Sequence, residues 1–97
     1  MNMQHLQVHL TGRLICATEQ QADVVRRHLP DHIRLTKDEA GCLSFDITPT
    51  DDPLVWTVAE CFVDQVAFAF HQRRTRASIW WAKTGHIRRD FAVTGLE

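Results

Sequence analysis

Over residues 7–16 the chain alternates, with Val8, Leu10, Leu14 and Cys16 on one side and His9, Thr11, Arg13 and Ile15 on the other, a period of two that predicts a β-strand. Gly12 falls on the apolar side and leaves a gap there, the mark of a bulge or of a close approach by another group. Residues 42–48 alternate in the same way, Leu43, Phe45 and Ile47 against Ser44, Asp46 and Thr48, and residues 55–62 place Trp56, Val58, Glu60 and Phe62 on one face. The intervening Pro49-Thr-Asp-Asp-Pro53 is dense in turn formers, so the two strands form an antiparallel hairpin. Residues 87–93 read as a fourth strand.

Two segments switch to three- and four-residue spacing. Thr18 and Gln21 make a capping pair, which starts a helix at about Glu19 with Ala22, Val25, Leu29 and Ile33 on its buried face. Pro30 removes an amide from this helix and predicts a kink between Leu29 and Asp31. The helix ends before Gly41, which suits a left-handed C-terminal residue. Asp64 caps a second helix that runs to about Arg74. At about 100° per residue, Val63, Val66, Ala67 and Phe70 form its apolar stripe, and His71 lies at the rim, beside Phe68. Residues 75–85 are ambiguous, with a short helical turn over 77–82.

The order β-α-β-β-α-β is that of a ferredoxin-like α+β fold with an antiparallel sheet, in a single domain over residues 1–97. Two helices cover one face of such a sheet. The other face carries residues such as Ile15, and a second copy of the chain, related by a two-fold axis, is the economical cover.

Composition narrows the possibilities. With 11 basic and 12 acidic residues the chain has no net field to draw in nucleic acid or an anionic membrane, and no stretch approaches a membrane span. The short clusters at Arg26, Arg73 and Arg88 read as solvated edges. Cys16, Cys42 and Cys61 are odd in number, lack a Cys-x-x-Cys pair and sit among apolar residues, which suits reduced thiols. Met1 to His5 show no basic region followed by an apolar run, and a cytoplasmic protein is expected.

The absence of a Gly-x-Ser-x-Gly elbow or a glycine-rich phosphate loop removes the common hydrolase and nucleotide-binding readings. His28 and His32 share a helix face, yet they lack a third ligand and Pro30 stands between them, so no metal site is assigned. His32 flanks the apolar stripe and can line a pocket between helix and sheet. Trp80 and Trp81 are adjacent and cannot both point into one core, which places one at a pocket mouth or an interface.

Three motifs carry a family resemblance: Glu39-Ala-Gly-Cys-Leu43, Trp56-Thr-Val-Ala-Glu60 and Ala67-Phe-Ala-Phe-His71. With them the chain resembles, over nearly its whole length, the antibiotic biosynthesis monooxygenases, dimeric α+β barrels that include quinol monooxygenases and heme-degrading enzymes. The resemblance implies a homodimer with a pocket in each subunit between helices and sheet. It implies a cofactor-independent monooxygenase, using neither flavin nor metal, that inserts one atom of O2 into a small quinol, phenolic or anthrone-like aromatic.

His71 would be the general base, with a pKa naturally near neutrality. Trp56, His32, Phe70, Trp80 and Trp81 would hold the substrate. Glu60 would orient the histidine or, preferably, pair with an arginine, and Arg13 or Arg74 would face an oxyanion. Heme binding or degradation, and a non-enzymatic ligand-binding or interaction domain, are the alternatives. The chain has no tyrosine and no asparagine on its first or third strand, which sets it apart from heme-degrading members.

Overall fold

A computed structural model describes residues 6–96, so the reading of Met1 to His5 lies outside the described residues. Strands β1 (Val8–Ile15), β2 (Cys42–Pro49), β3 (Val55–Phe62) and β4 (Arg88–Thr94) form one sheet in the order β2-β3-β1-β4, with antiparallel neighbours throughout. Helices α1 (Glu19–Lys37), α2 (Gln65–Arg76) and α3 (Ile79–Thr84) complete the expected ferredoxin-like order, the short α3 taking the place of the ambiguous turn. Among the described residues no helix is long and apolar enough to cross a membrane.

The caps form as the sequence predicts. Thr18 Oγ1 accepts from the Gln21 amide at 3.1 Å while Gln21 Oε1 accepts from the Ala17 amide at 2.7 Å. Asp64 Oδ1 accepts from the Ala67 amide at 2.8 Å. Helix α1 runs through Pro30 as one element. Pro30 and Arg26, whose carbonyl loses its helical partner, are both exposed, so the lost bond is borne at the surface.

The core lies between the sheet and the helices, built on Val8, Leu10, Leu14, Phe45, Val58 and Phe62 with Ala22, Val25 and Leu29 from α1. Phe45 and Phe62 are almost wholly buried and contribute about 1.5–3 kcal/mol each by removing apolar surface from water. A bulge between Cys42 and Ser44 turns Leu43 outward, whereas Phe45 and Ile47 keep the expected inward side. Gly12 has φ of 151°, and a Cβ there would stand 2.0 Å from the Asp90 carbonyl oxygen of β4, so the gap in β1 is the close approach of a neighbouring strand. Gly41 is not left-handed. Its missing side chain makes room for α2, because a Cβ would fall 2.3 Å from Cβ of Ala67.

Helix α1 buries the predicted Ala22, Val25 and Leu29, whereas α2 buries a different face from the one its apolar residues predict. In α2 the buried residues are Phe68, His71 and Thr75, while Val66 is 76% and Phe70 51% exposed. In α1, His32 and Thr36 turn inward at its C-terminal half and Ile33 is only half-buried. The outer sheet face is more polar than expected: Thr11, Arg13, Thr57, Arg88, Asp90 and Thr94 accompany Ile15 and Val55. All three cysteines are unpaired.

Candidate active site

The inward polar residues of α1 and α2 meet beside a cavity of about 220 Å³. Leu10, Leu14, Ile47 and Val58 form its floor on the sheet, with Glu60 from β3 and Arg89 and Phe91 from β4. His32 of α1 closes one side, His71, Gln72, Thr75 and Arg76 of α2 another, and Trp80 and Trp81 of α3 the third.

His71 reaches this wall because Ala67, one turn earlier, packs against Gly41 and draws α2 onto the turn that follows α1. That turn folds Glu39 inward: its amide donates to the Thr36 carbonyl at 3.0 Å, and the Gly41 carbonyl accepts from Val63 at 2.9 Å. Glu39 Oε2 accordingly lies 3.1 Å from Nδ1 of His71 and also accepts from Nε of Arg74, whose Nη2 donates to Thr36 Oγ1 at 2.8 Å. Because a carboxylate only accepts, Nδ1 carries the hydrogen and Nε2 keeps a lone pair. Nε2 stands 3.3 Å from Thr75 Oγ1 and 3.8 Å from Glu60 Oε1, both on residues of the cavity wall.

Burial sets the charges. Desolvation pulls the His71 pKa below its ordinary value against the opposing pull of Glu39, so near neutral pH the Glu39 contact is a hydrogen bond from a neutral imidazole rather than an ion pair. His32 is pushed down to about 3 by burial and then by His71, and stays neutral too. Its ring stacks on Trp80 at 4.9 Å and 8°, with Nδ1 buried and unpartnered, and lies 5.9 Å from the His71 ring. Glu60 is pushed up to about 8, first by burial and then by Glu39, and holds its proton at pH 7.

A stability signature follows from Glu60. Between its ordinary value of 4.5 and about 8 the folded protein keeps a proton that the unfolded chain releases, so stability falls as pH rises through that window and levels off above it. Glu60→Gln is expected to remove a loss of up to about 5 kcal/mol. Thermal melts at pH 5 and pH 9 check it: the drop in Tm should be larger in the wild-type chain than in the variant, and equal drops would refute it.

The structure redistributes the site residues anticipated from sequence. His71, His32, Trp80 and Trp81 come together on the cavity. Trp56 does not line it; its ring is buried in the core, with the Arg26 guanidinium carbon 5.8 Å from the ring centroid. Phe70 points away, into a surface depression on the other side of α2 with Val66 and Ala67.

Glu60 has no arginine within 4.0 Å among the described residues and faces the histidine instead, contrary to the preferred arginine pairing. Arg13 pairs with Asp90 on the outer sheet face at 3.6 Å, and Arg74 is held by Glu39, so neither lines the cavity. Two residues at the site are not singled out by the sequence. Glu39 lies in a turn without periodicity, where only its place in the motif entering β2 marked it. Arg89 was counted with the solvated basic clusters but is half-buried on the cavity wall.

Among solved structures the fold is closely matched. Rv0793 from Mycobacterium tuberculosis shares 20% identity and a TM-score of 0.74 over 94% of this chain and 95% of its own. A candidate antibiotic biosynthesis monooxygenase from Nitrosomonas europaea shares 16% and 0.78 over 99% and 95%, and PA3566 from Pseudomonas aeruginosa 16% and 0.73 over 100% and 99%. At these identities the likeness establishes the fold alone. No functionally curated protein matches. The sequence profile of the antibiotic biosynthesis monooxygenases, however, matches residues 8–88, a span that holds β1, β2 and β3 together with Glu39, Glu60 and His71, and the chain belongs to that family.

Proposed function

We propose that the chain is a cofactor-independent monooxygenase that oxidises a monocyclic quinol or phenol with O2. One observation carries the reading: a buried, neutral His71, its Nδ1 hydrogen given to Glu39, presents Nε2 at the wall of the cavity. An imidazole so held takes the proton of a ring hydroxyl. The resulting phenolate is electron-rich enough to reduce O2 by one electron, and recombination forms a ring C–O bond. For a quinol the balance is quinol plus O2 giving hydroxyquinone plus water, with one oxygen atom in each product and the proton held by the histidine returned to the departing oxygen.

The volume favours a single ring. About 220 Å³ lies below the roughly 300 Å³ at which drug-sized sites begin, and a three-ring anthrone fits it less well. The same volume counts against a heme ligand at this position. A homodimer belongs to this proposal, supported by the family's architecture and by Ile15 and Val55 on the open sheet face; a sedimentation mass of one 11.2 kDa chain would remove it.

Oxygen-electrode traces with flavin-free, chelator-treated protein test the activity. Uptake of O2 above autoxidation, one mole per mole of quinol, is expected. No uptake with any monocyclic quinol or phenol, or uptake only after flavin is added, would refute the proposal.

A further inference from the structure

Arg89 enters the cavity from β4 with no carboxylate in contact among the described residues, and Glu60 acts on it only from a distance. Nη1 donates to the carbonyls of Thr84 at 2.7 Å and Ile87 at 3.0 Å, and Nη2 to Thr84 Oγ1 at 3.1 Å. The guanidinium carbon lies 5.0 Å from the Trp81 ring centroid and 5.9 Å from that of Trp80. These contacts fix its position, but every partner is neutral.

Among the described residues no carboxylate comes within 4.0 Å of Arg89, whereas Arg13, Arg26, Arg34 and Arg74 each have one. The other groups on the wall do not supply the missing charge. His32 and His71 are neutral, Glu60 holds its proton at pH 7, and Glu39 is taken by Arg74. Arg76 adds a second cation where the cavity meets solvent. A half-buried guanidinium without a counter-ion is costly, and its rigid fork is suited to a planar carboxylate.

We propose that the cavity takes an anionic aromatic, a hydroxylated benzoate whose carboxylate pairs with Arg89 while a ring hydroxyl meets Nε2 of His71. The inference deepens the monooxygenase reading and rests on it only for the choice of cavity. Binding without oxygen separates the two.

Calorimetric titration under nitrogen should compare 2,5-dihydroxybenzoate with hydroquinone, the same ring without the carboxylate. The benzoate is expected to bind about tenfold or more tightly to the wild-type chain. Arg89→Gln should erase that preference and leave hydroquinone within about twofold of its wild-type affinity. Raising the pH through 8 ionises Glu60 beside the same cavity, so in the wild-type chain the benzoate should weaken while hydroquinone does not, and Glu60→Gln should hold its benzoate affinity.

The pH arm needs only the folded wild-type chain and Glu60→Gln, and so stands even if Arg89→Gln does not fold. Equal affinity of the two ligands for the wild-type chain, an undiminished preference in a folded Arg89→Gln, or a pH-independent preference in the wild-type chain would overturn the proposal. A carboxylate preference without O2 uptake would support it and refute the oxygenase reading instead.

Discussion

Replacing His71 by asparagine is expected to lower kcat/KM for quinol oxidation at least about 100-fold, the scale of a lost general base. Asparagine is the informative change, because its side-chain amide stands near the place of Nδ1 and can still donate to Glu39, so the buried carboxylate and its bond to Arg74 survive. What disappears is the lone pair on the cavity side, between Thr75 and Glu60. His71→Ala should lose as much activity and also stability, since it leaves a void among Phe45, Phe62 and His32. Steady-state oxygen uptake checks both variants. Full activity in His71→Asn would show that no proton passes through this residue.

Glu39 carries the second large effect. Its side chain is 4% exposed, and one oxygen serves both His71 and Arg74. Glu39→Ala strands the Arg74 guanidinium, at 23% side-chain exposure, without its carboxylate. Breaking a buried pair in this way costs about 3–5 kcal/mol, and the partial exposure of Arg74 puts the expectation near 3 kcal/mol. For a chain of this size that is a fall in Tm of roughly 12–20 °C by thermal melt.

Glu39→Gln separates positioning from stability. The carboxylate raises the His71 pKa against the effect of burial, so its loss moves the histidine further down, and the acidic limb of the kcat/KM profile should shift to lower pH. At the optimum the rate should fall about tenfold or more, because the tautomer is no longer fixed. An unshifted limb with an unchanged maximum would reduce Glu39 to a structural role.

These residues also mark where the sequence was readable. Strands β1 and β3 alternate on the helix-facing side with only Gly12 and Glu60 breaking the apolar row, and Thr18 and Asp64 carry caps whose chemistry is local, so the order of elements follows from the chain alone. The buried face of α2 does not. Val66 and Phe70 are the conspicuous apolar residues, yet the helix buries Phe68, His71 and Thr75, because polar groups with partners on α1 and the following turn can be buried and the apolar ones there are left outside.

The spacing 68, 71, 75 is itself one helical face, and a His and a Thr on it were the available signal. Glu39 was hidden for another reason: a turn has no period, and its partner Arg74 lies 35 residues away. Trp56 is left out because alternation gives the side of the sheet but not which positions along a strand a cavity reaches, and on β3 it reaches Val58 and Glu60. Arg89 looked like one more charge at a strand edge until the carbonyls of Thr84 and Ile87 placed it inside.

The central claim is that an oxygen atom is inserted beside His71. Turnover of a monocyclic quinol under 18O2, followed by mass spectrometry of the product and of the water formed, tests it most directly. The account predicts one labelled atom in the hydroxyquinone, one in water, and almost no labelled product from His71→Asn. Quinone without label, accompanied by hydrogen peroxide, or label incorporated equally by the His71→Asn chain, would contradict it.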